Sequence, residues 1–292
     1  MNVIVTGSLG HIGEPLTREL VQEGHTVTVI SSNPERQTAI ESLGAAAAIG
    51  SLEDIDFLTS TFTAADAVFA MVPPNFAEAD LVAYYRRIAS NYAQAISGSG
   101  IKRLVYLSSY GAHLDKDSGF ILGAHHAEGI LNELQNVATT HLRAGYFYYN
   151  FYGFKDMIET QGIMGANYGG NDKMVLVAPS DIATVAAEEI QTPTTGQHVR
   201  YVVSDEHTAD EVAHILGTAI GKPDLKWITF TNEEMQEGME KRGMPAHMVS
   251  NFVELGASLH NGSLLEDYEH YAPVPMGEVK LEDFAREFAK AF

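Results

Sequence analysis

Apolar and polar positions come in blocks along this chain, and the blocks alternate between two periods. The run Val3–Val5 is short, β-branched and closed by glycine, which predicts a buried strand. After Gly13 the apolar positions Leu16, Leu20 and Val21 fall on one helical face, and Gly24 supplies a stop. The alternation then repeats through HTVTVI (His25–Ile30), a helix opened by Asn33 and Pro34, AAAAIG (Ala45–Gly50) and AVFAMV (Ala67–Val72). It continues with a long helix over about Ala77–Ser97, RLVYLSS (Arg103–Ser109), a helix near Ile121–Leu134 and TTHLRAG (Thr139–Gly145). Strands alternating with helices predict an α/β fold: a doubly wound parallel sheet with helices on both faces. Beyond Asn150 the rhythm loosens into VLV (Val175–Val177), a helix started by Pro179 or capped by Ser180, HVRYVV (His198–Val203) and a helix over Ala209–Ile220. Asn232–Asn261 reads as helical, with Met235, Met239, Met244 and Met248 as core filler, and Leu281–Phe292 as a closing helix. These patterns predict a nucleotide-binding domain over residues 1–150 and a smaller C-terminal α/β substrate-side part over 151–292, partly interleaved with it.

Between the first strand and the first helix stands VTGSLGHIG, with Gly7, Gly10 and Gly13 at GxxGxxG spacing. In that context Gly7 permits a tight turn, Gly10 lets the backbone approach a pyrophosphate, and Gly13 lets the helix pack on the sheet. The backbone of His11 and Ile12 leads into a helix start that favours an anion. The competing reading is a bare glycine-rich β-α turn. A dinucleotide site of this kind usually places an acid at the end of the second strand to hold ribose hydroxyls. Here the stretch is VISSNPER, so nothing repels a 2′-phosphate: Ser32 and Asn33 can donate to one, and Arg36 can reach it unless it is an ordinary surface arginine. NADP(H) is therefore preferred, and NAD(H) is admitted. Ser51 follows the third strand where an adenine contact belongs, and Met71, Val72 and Pro73 end the fourth, covering the cofactor from the other side of the switch point.

Composition narrows the partners. The formal charge of −20, with no Lys/Arg block, disfavours direct nucleic-acid binding. No cysteine is present, which removes thiol nucleophiles and thiolate metal sites. No basic leader and no apolar run of about 18 residues is read, so the expectation is a cytoplasmic protein without membrane insertion. A homo-oligomer or a protein partner is compatible with the sequence.

VTGSLGHIG, SSNPER, SSYGA (Ser108–Ala112), HHAEGIL (His125–Leu131), LRAGYFYYN (Leu142–Asn150) and VAPSDIATVAAEEI (Val177–Ile190) occur in the order and spacing of NmrA-like proteins. The chain resembles this atypical branch of the short-chain dehydrogenases over nearly its whole length. The resemblance implies a Rossmann fold, NADP(H) or NAD(H) binding, and either quinone-reductase activity or cofactor sensing without turnover. It also implies that His125 faces the nicotinamide end, binding ribose or orienting substrate. The chain departs from the usual Tyr-x-x-x-Lys pair, since His125 holds the Lys position and Ile121 the Tyr position. Tyr110, 15 residues before His125, does not replace that tyrosine. The departure weakens alcohol–ketone dehydrogenation and nucleotide-sugar epimerisation, whereas a quinone accepts hydride with only a modest hydrogen-bond donor.

Ser108 reads as a strand-end contact to cofactor or substrate, since no nucleophile elbow surrounds it, and Glu128 as a local structural pair. His125 and His126 point about 100° apart on a helix and lack a second ligand four residues on, so no metal is assigned. The aromatic run at positions 146, 147, 148, 149, 151, 152 and 154 exceeds what one strand end can bury. Tyr146, Phe147 and Tyr149, with Tyr110, are therefore read as walls of a pocket for a planar, apolar small molecule at the cleft edge. The leading expectation is an NADPH-dependent oxidoreductase of quinone-like or conjugated carbonyl compounds, with His125 and Tyr146 as catalytic candidates. The alternative is a non-catalytic NADP(H) sensor acting through a protein partner.

Overall fold

The computed structural model describes residues 1–75 and 77–292. Two compact units interleave along the chain. Met1–Ser109, Gly123–Arg143 and Ile182–Arg200 form one, and Tyr110–Leu122, Ala144–Asp181 and Tyr201–Phe292 form the other. The pattern of apolar positions suggests a change near residue 150. The contacts instead divide the chain into alternating segments, because the connections after the fifth and sixth strands leave the first unit and return to it.

The first unit is built from β1 (Asn2–Val5), α1 (Gly13–Gln22), β2 (Thr26–Ser31), α2 (Gln37–Ser42), β3 (Ala46–Ile49), α3 (Ile55–Phe62), β4 (Ala67–Ala70), α4 (Leu81–Ser99), β5 (Arg103–Ser109), α5 (Ile121–Leu131) and β6 (Ala138–Ala144). A seven-stranded sheet runs β10-β6-β5-β4-β1-β2-β3, with β10 being Gln197–Val202. β1 pairs in parallel with β2 and β4, Val5 lying opposite Val29 and Phe69. The central strands are apolar on both faces because helices cover both, which is why they read as unbroken runs. Side-chain caps fix two of the covering helices: Asp54 accepts from Phe57 N–H at 3.0 Å to start α3, and Asp80 from Ala83 N–H at 2.9 Å to start α4. α4 therefore begins four residues later than the apolar pattern suggests, and Gly100, at φ 85°, ends it. Phe62 stacks on Tyr92 at 6.4 Å between ring centroids, tying α3 to α4.

The second unit contains β7 (Tyr146–Phe147), α6 (Lys155–Gln161), β8 (Ile163–Ala166) and β9 (Lys173–Val177). α7 (Pro179–Gln191) then returns the chain to the first unit. After β10 come β11 (Asp205–Thr208), α8 (Ala209–Ala219), β12 (Lys226–Thr229), α9 (Asn232–Lys241), α10 (Ala246–His260), α11 (Glu266–Tyr271) and α12 (Leu281–Phe288). A three-stranded sheet runs β11-β9-β7, and β12 pairs in parallel with β8. The stretch predicted as one helix over Asn232–Asn261 is two, because Gly243 at φ 80° and Pro245 interrupt it. The closing helix stops at Phe288 and continues as a 3₁₀ turn over Ala289–Ala291. No described helix is long and apolar enough to cross a membrane.

A buried ion pair joins α5 to the sheet of the first unit. Arg143 on β6 donates through Nε to Glu128 Oε1 at 3.0 Å and through Nη2 to Oε2 at 2.6 Å, and Ser108 at the end of β5 donates to Oε1 at 2.5 Å. Both charged side chains are over nine-tenths buried. Removing one partner strands the other in a low-dielectric interior, so Glu128→Ala is expected to cost about 3–5 kcal/mol, read as a lower urea midpoint at unchanged m-value. A loss under 1 kcal/mol, about the value of an exposed pair, would show that this contact does not anchor α5.

Candidate functional site

The glycine turn is the best-built feature of the first unit. Gly7 sits at φ 88° and Ser8 at φ 60°, so the chain turns sharply off β1 through two left-handed residues. A Cβ on Gly7 would lie 2.7 Å from Met71 Sδ, and one on Gly13 would lie 2.0 Å from the Ser8 carbonyl oxygen. Both glycines are thus required by the chain's own packing. Gly10 is different: a Cβ there meets only the Gly7 carbonyl oxygen, at an ordinary 3.7 Å. Gly10 and His11 are exposed, Ile12 is buried, and α1 starts with no side-chain cap from Ile12.

Hydrogen bonds lock the strand ends around this turn. Ser8 Oγ donates to Ser31 Oγ at 2.9 Å, and Asn33 N–H donates to the same oxygen at 3.2 Å. Asn33 Oδ1 accepts from Glu35 N–H at 2.9 Å and caps the 3₁₀ turn Pro34–Arg36. Asn33 is therefore a helix cap, as the sequence suggests, and its carboxamide oxygen is taken up locally. Thr6 and Tyr92 hold the mouth of β4: Met71 N–H donates to Thr6 Oγ1 at 3.0 Å, and Tyr92 Oη to the Met71 carbonyl at 2.8 Å. Burial raises the Tyr92 phenol. Val72 is buried, and Met71 and Pro73 are half-buried. Ser51 is exposed and accepts from Glu53 N–H at 3.1 Å, just after Gly50 N–H pairs with the Ser31 carbonyl at 3.0 Å.

Ser32 and Arg36 project from the end of β2 and are exposed. In a chain of charge −20, six of the nine arginines pair with carboxylates: Arg18, Arg87, Arg103, Arg143, Arg200 and Arg286. Arg86 turns to His126, its Nη2 lying 2.8 Å from Nε2 and 3.1 Å from Nδ1. Among the described residues, Arg36 and Arg242 alone of the arginines have no such partner.

Ser108 faces inward. Its single proton goes to Glu128, so this hydroxyl does not donate to a ligand at the strand end. Glu128 pairs beyond its own helix, with Arg143 and Ser108, and this reaches further than the local role that its sequence context suggests. His125, one turn before Glu128, is half-buried with its ring 5.3 Å from His126. Burial, then Arg86 and His125, hold the His126 imidazole below its ordinary value. Apart from these histidines, Asp205, His207 and Glu282 of the second unit bring one ligand atom each within 4.8 Å of one another, and His207 there lies 3.1 Å from Asp205.

In the second unit the aromatic run divides. Tyr148 and Phe151 are core, Tyr148 stacking on Phe284 at 5.4 Å, whereas Tyr146, Phe147 and Tyr149 keep part of their surface exposed. Gly145 lets β7 press against β9, since a Cβ there would lie 2.6 Å from the Val175 carbonyl. Tyr146 packs on Phe151 at 5.1 Å, and Phe147 on Tyr149 at 5.2 Å. Tyr110 is buried. Tyr168, which no sequence pattern singles out, is buried too, with its ring 5.3 Å from that of Trp227. Burial raises all three phenols, Tyr146 to about 12, and burial also lifts Tyr149 to about 12.

Solved structures share this architecture. An NADPH-dependent quinone oxidoreductase of Escherichia coli, in complex with NADPH, superposes with a TM-score of 0.84 at 18% identity, covering 98% of this chain and 99% of that one. The triphenylmethane reductase of a Citrobacter species gives 0.83 at 18% identity over 99% and 100% of the two chains. A nucleoside-diphosphate-sugar epimerase of Staphylococcus aureus gives 0.79 at 17% over 98% and 100%. An uncharacterized protein of Schizosaccharomyces pombe is 34% identical over 68 residues, so the match spans 23% of the length of either chain. The NmrA-like pattern matches residues 1–267, and the chain belongs to the NmrA-like family.

Proposed function

We propose that this chain binds NADP(H) at the glycine turn and reduces a planar, quinone-like or conjugated carbonyl acceptor. Gly10 carries the reading: flanking glycines are required by internal packing, whereas Gly10 leaves an open surface that a side chain would fill. Such an opening at the foot of a helix suits a pyrophosphate. The backbone at Gly7, Gly10, His11, Ile12 and Gly13 would hold that group, with Met71, Val72, Pro73 and Ser51 along the strand ends. Ser32 and Arg36 would take the 2′-phosphate, Arg36 being free of carboxylate partners among the described residues. NAD(H) would lack that contact. Two structural neighbours are NADPH or NADP(H) complexes, of a quinone oxidoreductase and a triphenylmethane reductase, which supports the same cofactor here.

The dinucleotide, when bound, supplies a hydride. The chain's own contribution is orientation and exclusion of water: His125 toward the cofactor, and Tyr146, Phe147, Tyr149 and Tyr110 as apolar wall and polar contact for the acceptor. One observation favours a second reading, a cofactor sensor without turnover. The dehydrogenase Tyr and Lys positions hold Ile121 and His125, and the nearby Ser108 hydroxyl is committed to Glu128.

Gly10→Val is expected to keep the melting temperature of the parent and weaken NADPH binding by more than about tenfold in calorimetry, or about 1.4 kcal/mol. Gly13→Ala, which drives a methyl into the Ser8 carbonyl, should instead lower stability by about 1–3 kcal/mol. Full NADPH affinity in a folded Gly10→Val variant would overturn the site.

On selectivity, Arg36→Ala should weaken NADPH about tenfold and leave NADH unchanged, and Ser32→Asp should reverse the preference by repelling the 2′-phosphate. Equal effects on both nucleotides would return Arg36 to the role of a surface residue.

Purified protein should oxidise NADPH when a naphthoquinone is supplied, more slowly in Phe147→Ala. Tight NADPH binding with no oxidation across a broad panel of acceptors would establish the sensor instead.

A further inference from the structure

A strand alternates its side chains, so Asp205 and His207, two residues apart on β11, stand on one face of it. The first turn of α12 brings Glu282 to the same place: one ligand atom from each of the three lies within 4.8 Å of the others. Other bonds already hold the two segments together. Leu281 N–H donates to Asp205 Oδ2 at 3.2 Å, and Lys280 Nζ donates to the Ser204 and Gly277 carbonyls at 2.6 and 2.9 Å. The three side chains are not committed to one another. His207 Nε2 is buried and makes no hydrogen bond although Asp205 Oδ2 lies 3.1 Å away, so the imidazole axis passes beside that oxygen rather than at it. Two ligands of one cation stand in this way, roughly 3–3.5 Å apart for metal bonds of about 2.0–2.2 Å. Glu282 makes no hydrogen bond or ion pair among the described residues, and no lysine or arginine there pairs with Asp205. On the far side of the ring, His207 Nδ1 lies 3.7 Å from Glu211 Oε2, which is itself fixed by accepting from Thr208 N–H at 2.8 Å in the cap of α8. A carboxylate behind an imidazole is the arrangement that orients metal-binding histidines.

We propose that Asp205, His207 and Glu282 bind a divalent transition-metal ion, zinc by preference, which fastens the first turn of α12 to β11. One imidazole with two carboxylates is a mixed donor set that favours zinc over magnesium and calcium, which take oxygen ligands. Asp205 and His207 are held in place, at 20% and 19% side-chain exposure, whereas Glu282 is exposed and free to swing onto the ion. Three protein ligands leave a fourth position to water. A simple imidazolium between Asp205 and Glu211 explains the geometry less well, because it leaves Nε2 without the hydrogen bond that such a pair would form. The consequence stays within the second unit. α12 packs Phe284 on Tyr148 at 5.4 Å and Phe288 on Tyr152 at 5.3 Å, so an ion on its first turn steadies the aromatic residues that follow β7. Nothing in this depends on the NADP(H) reading.

The test titrates the full chain, freed of metal by a chelator and dialysis, with zinc chloride and with magnesium chloride in calorimetry. One zinc ion per chain is expected in the tightest class of sites, with magnesium bound more weakly. Glu282→Ala, a change at an exposed position, should lower the zinc affinity of that site by more than about tenfold. His207→Ala should abolish the site, and Glu211→Gln, which keeps the helix cap, should weaken it by about ten- to a hundredfold. Zinc should also slow amide hydrogen exchange over Leu281–Phe288 in the wild type and leave it unchanged in Glu282→Ala, a readout that zinc held by other histidines would not give. A tightest zinc site unmoved by Glu282→Ala and His207→Ala, or magnesium bound as well as zinc, overturns the site. Zinc bound there with no slowing of exchange in α12 overturns the fastening. If His207→Ala fails to fold, Glu282→Ala decides the matter alone.

Discussion

One close approach governs what the first unit presents at the ends of β1 and β2. The Ser8 carbonyl oxygen lies where a side chain of residue 13 would begin, 2.0 Å from an added Cβ. Only glycine lets α1 start that near the strand it follows. Because the helix starts there, the intervening residues bend outward, through Gly7 and Ser8 in the left-handed region, and Gly10 is left at the surface. The Ser8 hydroxyl then meets Ser31, which registers the turn against the end of β2, and Met71 closes over Gly7 from β4. An exposed stretch of backbone at Gly10 follows from sterics alone, with no charged side chain required to make it.

Charge is handled in the opposite way. With 38 acidic against 18 basic residues, six of the nine arginines pair with carboxylates among the described residues. Arg143 is drawn into a bidentate pair with Glu128, and Arg103 reaches both Glu189 and Thr140, each inside the first unit where water is excluded. Pairs of this kind are costly to break and add little net stability when intact, so their effect is to fix how α5 and the sheet register. Ser108 is drawn into the same arrangement. Among the described residues Arg36 is an arginine left without a carboxylate, exposed just after the end of β2.

The fold of the first unit was legible because its signals are local. Buried parallel strands read as apolar runs, one helix start as the Asn33 cap, and the turn as glycines whose spacing survives without any tertiary information, whereas the Asp54 and Asp80 caps of α3 and α4 were not read. Where the sequence pattern faltered, the missing information was long-range. β8, β11 and β12 are four residues each and pair with strands far away in the chain, so no periodicity of their own marks them. Ser108 looked available because its partner, Glu128, lies 20 residues on in α5, where Arg143 of β6 bonds the same carboxylate oxygen. Tyr168 was invisible for the same reason: it lies outside the aromatic run, and its ring packs on Trp227, whose indole donates to its carbonyl from 59 residues further along the chain.

The reading proposed above asks the two units for different kinds of recognition. Backbone recognition of a phosphate chain tolerates wide change in side chains, since glycines and main-chain N–H groups make the contacts, whereas recognition of a flat acceptor by rings depends on each neighbour that shapes them. On that reading an aliphatic ketone would be served badly on binding grounds, since a flat wall of Tyr146, Phe147 and Tyr149 gives it little contact, and this sets the expected preference toward conjugated rings.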